Sequence, residues 1–199
     1  MTRTVVYSTA LVALVAATAM TLTSIVSPNW VSYTVPAPSG GTVTDTIGLH
    51  RRCTSSTGTC SPFPDEAHCY RSGEGRSFCS MWRTTGFLMN FSTVVEIATI
   101  VGFLIIMRGG KVRRQGGWKV LGAMMATAAA AEFIGMTVVA YLFDHDEMFL
   151  VPGYRLDSSW YLCATSASVA LLSAIGLAIS ALVLPPEDGY QLLNEPSGV

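Results

Sequence analysis

Charged residues are scarce in this sequence, and they are unevenly distributed along it. Of 199 residues, 13% are charged and 50% are hydrophobic, and the mean hydropathy is +0.45. A soluble domain of this size carries about a quarter charged residues. Twelve basic and thirteen acidic residues nearly cancel, so no excess of charge indicates a nucleic-acid partner. The composition excludes an ordinary water-soluble domain.

Motifs of enzyme chemistry are also missing. The sequence has no phosphate loop, no HExxH zinc motif, no GxSxG nucleophile elbow and no CxxC pair. The three histidines, His50, His68 and His145, are scattered, and a solvated surface position is the default for each. We therefore expect a protein that is not an enzyme, without a cofactor and without a metal site.

Four apolar runs are present instead, and each is long enough to cross a bilayer. They cover about residues 5–27, 86–107, 119–143 and 160–184, and about 20 mostly apolar residues are needed for a span. A single span must satisfy its own backbone hydrogen bonds, which predicts helices. A cleavable signal peptide is the alternative for the first run, but that run is longer than a signal core of about 7–15 residues. A retained span is therefore favoured.

Basic residues predict the orientation of these spans. The short connection 108–118 and the residue after it contain five of them: Arg108, Lys111, Arg113, Arg114 and Lys119. Short loops rich in Lys and Arg stay cytoplasmic. Both termini are then cytoplasmic, loops 28–85 and 144–159 are extracellular, and the plasma membrane is the expected location. Residues 1–184 form one four-span domain, and residues 185–199 form an acidic cytoplasmic tail that we expect to be disordered.

Four of the five cysteines lie in the first outer loop, at Cys53, Cys60, Cys69 and Cys79. An even, clustered set beside membrane spans indicates disulfides in an oxidising compartment. A zinc site is the weaker alternative, because no CxxC pair is present. Four cysteines allow three pairings, of which Cys53–Cys60 with Cys69–Cys79 is favoured. Before them, the runs WVSYTV and TVTDTI flank a Pro/Gly turn, which predicts short strands.

The same loop contains a motif that resembles the W…GLW…C…C signature of the claudin superfamily. The matching residues are a tryptophan, a Gly-Leu pair, two cysteines and an arginine before the second span: Trp30, Gly48, Leu49, Cys53, Cys60 and Arg83. Span order and loop lengths extend the resemblance over most of the chain. It implies a four-helix transmembrane bundle with a small disulfide-stapled antiparallel β-sheet in the first extracellular loop. The tail and the basic loop are most similar to fungal claudin-like proteins of the PalI type.

The sequence departs from the claudin pattern at three points. His50 stands where claudins carry a second tryptophan, the gap between Cys53 and Cys60 is shorter, and Cys69 and Cys79 are additional. These departures leave the partner of Cys53 open on the resemblance alone.

The resemblance implies a non-enzymatic function. The first hypothesis is an organiser of membrane domains, or of cell–cell and cell-wall contacts at the cell cortex, that acts through its ectodomain. The alternative is a PalI-like component of a pH-sensing or stress-sensing membrane complex. A pore or transporter is a third hypothesis, weakened because the sequence shows no broken helices and no rows of charged lining residues.

Two acidic residues, Glu96 and Glu132, are the only charges deep inside the predicted spans. Each lies roughly 16 Å from the outer end of its helix, at about 1.5 Å per residue, so both are expected near the midplane. An ionisable group there is costly and indicates a function such as a proton site. The favoured alternative is a protonated carboxyl that hydrogen-bonds a Ser or Thr of another span and fixes packing.

Tryptophans fall near the predicted membrane interfaces. Trp30, Trp82 and Trp160 lie near the outer one and Trp118 near the inner one, which is typical of aromatic anchors at headgroup depth. For Trp30, the resemblance also implies a place in the core of the outer loop.

Expected partners are the lipid bilayer, further copies of the chain or other membrane proteins, and a cytoplasmic adaptor on the tail. Two short tail patterns support the last expectation. The segment from Tyr190 to Leu193 resembles a tyrosine-based sorting signal, and the one from Ser197 to Val199 resembles a ligand of PDZ domains.

Overall fold

Four long helices pack side by side in the structure, a computed structural model. It describes residues 3–36, 40–65, 69–70 and 73–184. The helices are α1 (Arg3–Val26), α2 (Gly73–Arg108), α3 (Gly110–His145) and α4 (Ser158–Val183). All four are long and apolar enough to cross a membrane. Helix α1 packs on α2 and α4, and α3 packs on the same two helices, which confirms the predicted four-helix bundle.

A five-stranded antiparallel sheet covers one end of the bundle. Its strands are β1 (Val31–Pro36), β2 (Thr42–Ile47), β3 (Arg51–Thr54), β4 (Thr59–Pro62) and β5 (Tyr154–Leu156), in the order β4-β3-β2-β1-β5. The first four strands lie between α1 and α2, as predicted. Strand β5 comes from the connection between α3 and α4, so the sheet joins both connections. We call the sheet and its loops, residues 28–36, 40–65 and 146–157, the cap.

The helices extend beyond the apolar runs that predict them. Helix α2 begins at Gly73, well before residue 86, and α3 begins at Gly110, directly after Gly109. Residues 110–118, which make up most of the predicted cytoplasmic loop 108–118, are therefore helical, and the cytoplasmic position of this connection stays a prediction. Hydropathy reports which residues suit hydrocarbon, whereas Lys, Arg and Gln are good helix formers in water, so a helix can continue past the lipid.

Two apolar clusters fill the molecule, one at each end of the bundle. The first lies under the cap and includes Trp30, Phe78, Trp82 and Phe149. The second lies near the other end and includes Leu14, Phe103, Leu121 and Met125. The four helices also contribute buried polar residues in the middle of the bundle, which we call the polar layer: Thr21, Ser92, Glu96, Glu132 and Ser166.

Candidate functional site

Trp30 connects the cap to the bundle. Its side chain is fully buried, and its indole N–H donates to the Ser24 carbonyl at 2.8 Å. Its backbone N–H donates to the Ile47 carbonyl, and its carbonyl accepts from the Asp157 N–H, both at 3.0 Å. Trp30 is therefore part of the cap's core, as the resemblance implies, and its ring does not face lipid headgroups as an exposed anchor would. The strands on both of its sides fix the ring in place.

The Gly-Leu pair forms the turn between β2 and β3. The Gly48 N–H donates to the Arg51 carbonyl at 2.8 Å. A Cβ at Gly48 would lie 2.6 Å from the Pro28 Cα, so the turn approaches the backbone after α1 too closely for a side chain. Leu49 is buried, and its carbonyl accepts the Trp82 indole N–H at 3.2 Å. Trp82 is likewise fully buried, so its ring does not face the headgroups.

Trp160 and Trp118 differ from the two buried tryptophans. Both are half-buried and pack at the edges of the apolar clusters, Trp160 under the cap and Trp118 at the other end of the bundle. Trp160 also donates to the Met136 carbonyl at 3.4 Å. Their role as interfacial anchors stays a prediction.

Two disulfides staple the segment between α1 and α2. One joins Cys53 of β3 to Cys60 of β4, with Cα atoms 4.1 Å apart. The other joins Cys69 to Cys79 in α2, with Cα atoms 5.7 Å apart. This is the pairing that the sequence favours. The first disulfide closes a hairpin, and the second ties the chain that follows the sheet to the start of α2.

Arg83 lies apart from the other residues of the claudin-like motif. It is exposed on α2, where it lines a groove beside the Cys69–Cys79 disulfide. Trp30, Gly48 and Leu49 form the joint between sheet and helices, and Cys53 and Cys60 bridge the β3–β4 hairpin.

Hydroxyl and carboxyl groups from all four helices meet in the polar layer. The Thr21 hydroxyl lies 2.9 Å from Glu132 Oε1, 3.5 Å from Glu96 Oε1 and 2.7 Å from Ser166 Oγ. The Ser92 hydroxyl donates to Glu132 Oε1 at 2.8 Å. Both carboxyl groups are fully buried. The two glutamates therefore approach each other around Thr21 at the centre of the bundle.

The geometry of the polar layer agrees with the alternative in which the carboxyl groups hydrogen-bond other helices and fix their packing. Ser92 and Thr21 belong to other helices than Glu132, and their hydroxyls are the donors that a membrane-embedded carboxyl requires. The Oε2 atoms of both glutamates have no hydrogen-bond partner among the described residues. A proton-binding role for the pair stays a hypothesis.

The comparison with known families covers almost the whole of this architecture. A family model described as "Lipoma HMGIC fusion partner-like protein" matches residues 5–186, which include the cap and the four helices except for the first two residues of α1. The chain belongs to the lipoma HMGIC fusion partner-like family. No curated protein matches the chain.

Membership of the lipoma HMGIC fusion partner-like family makes the chain a claudin-like, four-span membrane protein. Proteins of this family are generally not enzymes. The match supports the claudin-like part of the resemblance. The narrower similarity to fungal PalI-type proteins stays a prediction.

Sequence reasoning missed several residues that hold this family member together. Arg51 donates to the Val26 carbonyl at 2.7 Å, where a cation stabilises the C-terminal end of α1. Phe63, Phe78 and Phe149 surround Trp82 with ring centroids 5.3 to 6.3 Å from its own. Large apolar residues in otherwise polar loops were the available signal for this aromatic cluster.

The cap contains an ion pair between Arg52 and Asp45. Burial raises the pKa of Asp45, but hydrogen bonds from Thr54 and Arg52 and the charge of Arg52 lower it further, so the net pKa is below its usual value. Burial also raises the pKa of Tyr154, which stacks on Tyr33 with ring centroids 4.5 Å apart.

The tail residues Tyr190, Leu193, Ser197 and Val199 lie outside the described residues. Within the part of the chain that the structure describes, no group of three His, Cys, Asp or Glu side chains is arranged to hold a metal ion.

Proposed function

We propose that this protein is a non-enzymatic organiser of the plasma membrane that acts through contacts of its disulfide-bonded cap. In this proposal the cap is extracellular and both termini are cytoplasmic. The basic residues around the α2–α3 connection support that orientation, and so do the disulfides, which persist in oxidising compartments. The family match supports a membrane protein without catalytic activity.

The observation that carries the proposal is the β3–β4 hairpin. Residues 55–62 are all exposed, and the Cys53–Cys60 disulfide closes the hairpin behind its tip. Gly58 adopts φ +65° there, a backbone conformation that glycine tolerates without strain. A recognition loop that is fixed before binding loses little conformational entropy on contact. The hairpin is thus suited to protein–protein contact.

The chemistry of the hairpin favours a polar partner surface. Its exposed residues are mainly serines and threonines, from Ser55 to Ser61. Hydroxyl groups of this kind provide adaptable hydrogen bonds in recognition loops. A copy of the chain or another membrane protein could supply the complementary groups.

Surface clustering of the full-length, tagged protein tests the proposal. We expect the Cys53→Ser/Cys60→Ser variant to reach the cell surface but to lose clustering, measured by energy transfer between labelled copies. Cys163→Ser is the matched control, because Cys163 is a free, buried thiol in α4. Clustering of the double variant at the wild-type level, with equal surface amounts, would contradict a contact role for the hairpin.

The polar layer favours a second candidate function, in a pH-sensing or stress-sensing complex. Two carboxyl groups in the centre of a bundle are costly, and here both contact Thr21. A Glu96→Gln/Glu132→Gln variant should then lose a pH response of the cell while keeping its surface level. An unchanged pH response would mean that the two glutamates contribute only to helix packing.

The pore hypothesis receives less support. The side chains of Glu96, Glu132 and Thr21 are fully buried at the bundle centre, so this layer is filled. The absence of ion flux in liposomes that contain the reconstituted protein would agree with a filled, non-conducting bundle.

Attachment of the tail to a cytoplasmic adaptor is part of the same proposal, with the cell cortex or a cell contact as its setting. Tyr190→Ala tests the sorting pattern, and removal of Val199 tests the PDZ-type pattern. Each change should alter the distribution of the protein in living cells without changing its amount. If both variants are distributed in the cell as the wild type is, the adaptor is no longer part of the proposal.

A further inference from the structure

Helix α2 carries one continuous exposed stripe that changes from basic to apolar along its length. Arg76 and Arg83 are exposed and seven residues apart, and Phe87 and Phe91 follow on the same side at intervals of four residues. Residues at these spacings lie above one another on a helix. The two phenylalanine rings stack with centroids 6.4 Å apart, and Phe87 is 67% exposed. The apolar part of the stripe therefore faces lipid.

A groove of about 520 Å³ lies beside the basic part of the stripe. The Cys69–Cys79 disulfide forms part of its lining and fixes the segment before α2 against the helix. Arg76 and Arg83 line the groove together with three hydroxyl side chains, those of Tyr70, Ser80 and Thr84. The Thr84 hydroxyl donates to the Ser80 carbonyl of the same helix at 2.9 Å. The hydroxyls of Tyr70 and Ser80 and the two guanidinium groups are the side chains that can donate hydrogen bonds into the groove.

The charge of the groove is unbalanced. Among the described residues, neither Arg76 nor Arg83 forms an ion pair, and no acidic side chain is part of the lining. Guanidinium groups match the oxygens of a phosphate with paired hydrogen bonds. An anion that brings phosphate oxygens would complement the two arginines and the hydroxyls of Tyr70 and Ser80.

The position of the groove relative to the hydrocarbon layer favours a lipid as the source of that anion. A hydrocarbon layer that starts at Phe87 would end near Met107, because 20 residues of helix span about 30 Å. Arg83 then lies about 6 Å outside the hydrocarbon, within the headgroup layer. Arg76 lies farther out, and its flexible stem lets the guanidinium reach back towards the surface. The apolar chains of a lipid would continue along Phe87 and Phe91.

We propose that this groove binds the phosphate-bearing headgroup of an anionic membrane phospholipid, whose acyl chains lie on Phe87 and Phe91. Arg83 contacts the phosphate nearest the hydrocarbon, and Arg76 contacts the outer part of the headgroup. A choline headgroup binds less well, since its quaternary ammonium would approach the guanidinium groups of Arg76 and Arg83, which form no ion pair with any residue that the structure describes. The site is independent of the β3–β4 hairpin and therefore of the proposed function.

Lipid adducts of the purified full-length protein test the site. The probes are phosphatidylglycerol and phosphatidylcholine with identical acyl chains, added to the protein in detergent and counted by native mass spectrometry. The wild type should prefer phosphatidylglycerol. The Arg76→Gln/Arg83→Gln variant should bind it roughly tenfold or more weakly, because it loses charge-assisted hydrogen bonds. Both arginines are exposed, so the variant is expected to keep the wild-type circular dichroism spectrum.

Arg108→Gln is the matched control, since Arg108 is an exposed arginine at the opposite end of α2. It should bind phosphatidylglycerol as the wild type does. Equal affinity for the two lipids, an unchanged affinity in the double variant, or an equal loss in Arg108→Gln would each overturn the proposal. Displacement of the lipid by millimolar inorganic phosphate would also overturn it, because the groove would then be a site for a free anion.

Discussion

The cap and the polar layer are held together by opposite kinds of side chain. Under the sheet, four aromatic rings, those of Phe63, Phe78, Trp82 and Phe149, pack around one another. In the middle of the bundle, hydroxyl and carboxyl groups of the four helices share hydrogen bonds. Each region buries the kind of side chain that its surroundings exclude. The cap buries aromatic rings, and the membrane-spanning bundle buries polar groups.

The solvent around each region explains the difference. Water surrounds the cap, so burial of apolar area drives it to fold. Lipid surrounds the bundle and is as apolar as a leucine side chain, so apolar burial gains little there, and hydrogen bonds with close packing determine which helices meet. Variants in the two regions should therefore fail for different reasons and by different amounts.

Trp82→Ala should have the largest effect, because it empties the centre of the aromatic cluster. Removing a buried Trp or Phe side chain costs about 3–5 kcal/mol of unfolding free energy. Trp82 is fully buried, and its indole N–H also bonds the Leu49 carbonyl. Thermal unfolding in detergent, followed by near-ultraviolet circular dichroism, measures the loss.

Phe87→Ala is the control for that measurement. Phe87 lies on the same helix but is 67% exposed, so its truncation should change the unfolding temperature little. If Trp82→Ala and Phe87→Ala lower the unfolding temperature equally, a ring buried under the cap stabilises the protein no more than a ring exposed to detergent.

The second prediction compares two glycines of the cap and the bundle. A Cβ at Gly48 would lie 2.6 Å from the Pro28 Cα, and one at Gly135 would lie 2.6 Å from the Met89 Cε. Backbone cannot move aside without breaking the joint, so Gly48→Ala should cost about 1–3 kcal/mol of unfolding free energy. A methionine end is flexible, and alanine favours a helix, so Gly135→Ala should cost less.

Denaturation midpoints of the two variants in the same detergent decide between these expectations. The reverse order, with Gly135→Ala the less stable, would show that the bundle tolerates overpacking less well than the cap does.

Glu132→Leu should have an intermediate effect, because it removes the acceptor of two hydroxyl groups in the polar layer. Ser92 and Thr21 lie 2.8 and 2.9 Å from Glu132 Oε1. Hydrogen bonds between membrane helices contribute about 0.6–2 kcal/mol each, and both hydroxyls can still bond helix carbonyls. We expect a loss of about 1 kcal/mol of unfolding free energy. Glu132→Gln keeps a carbonyl oxygen and should lose less. A leucine variant more stable than the glutamine variant would contradict a stabilising role for this bond.

Local patterns made much of this fold predictable from the sequence. Apolar runs locate the membrane helices because hydrocarbon tolerates little else. The β-branched runs around the Pro/Gly turn locate β1 and β2. The favoured pairing of Cys53 with Cys60 is the one that the structure contains. The depths of Glu96 and Glu132 place both carboxyl groups near the midplane, and the packing of α2 against α3 then brings them together.

What the sequence could not predict depends on contacts between distant residues. Strand β5 has three residues and exists only because Val31 pairs with Leu156. The burial of Trp30 and Trp82 follows from strands and loops that fold over them, so position near an interface misleads. Arg51 stabilises the end of α1 only because the β2–β3 turn brings it there. None of these features has a local signature.

The smallest expected effect is a loss of cap stability in acid, through Asp45. Its pKa in the folded cap lies below the value of about 3.9 in an unfolded chain. Since the folded state then holds the proton less readily, the ion pair stabilises the cap above about pH 4, and this contribution disappears as the pH falls through the folded pKa. Arg52 is 39% exposed, so solvent screening limits the contribution to below about 1 kcal/mol.

Asp45→Asn should therefore flatten the dependence of cap unfolding on pH between about pH 5 and 3, measured by near-ultraviolet circular dichroism. The helicity of the bundle should stay constant over that range, because the charge that titrates belongs to the water-exposed region. An identical pH dependence in the wild type and in Asp45→Asn would show that other carboxyl groups destabilise the cap in acid.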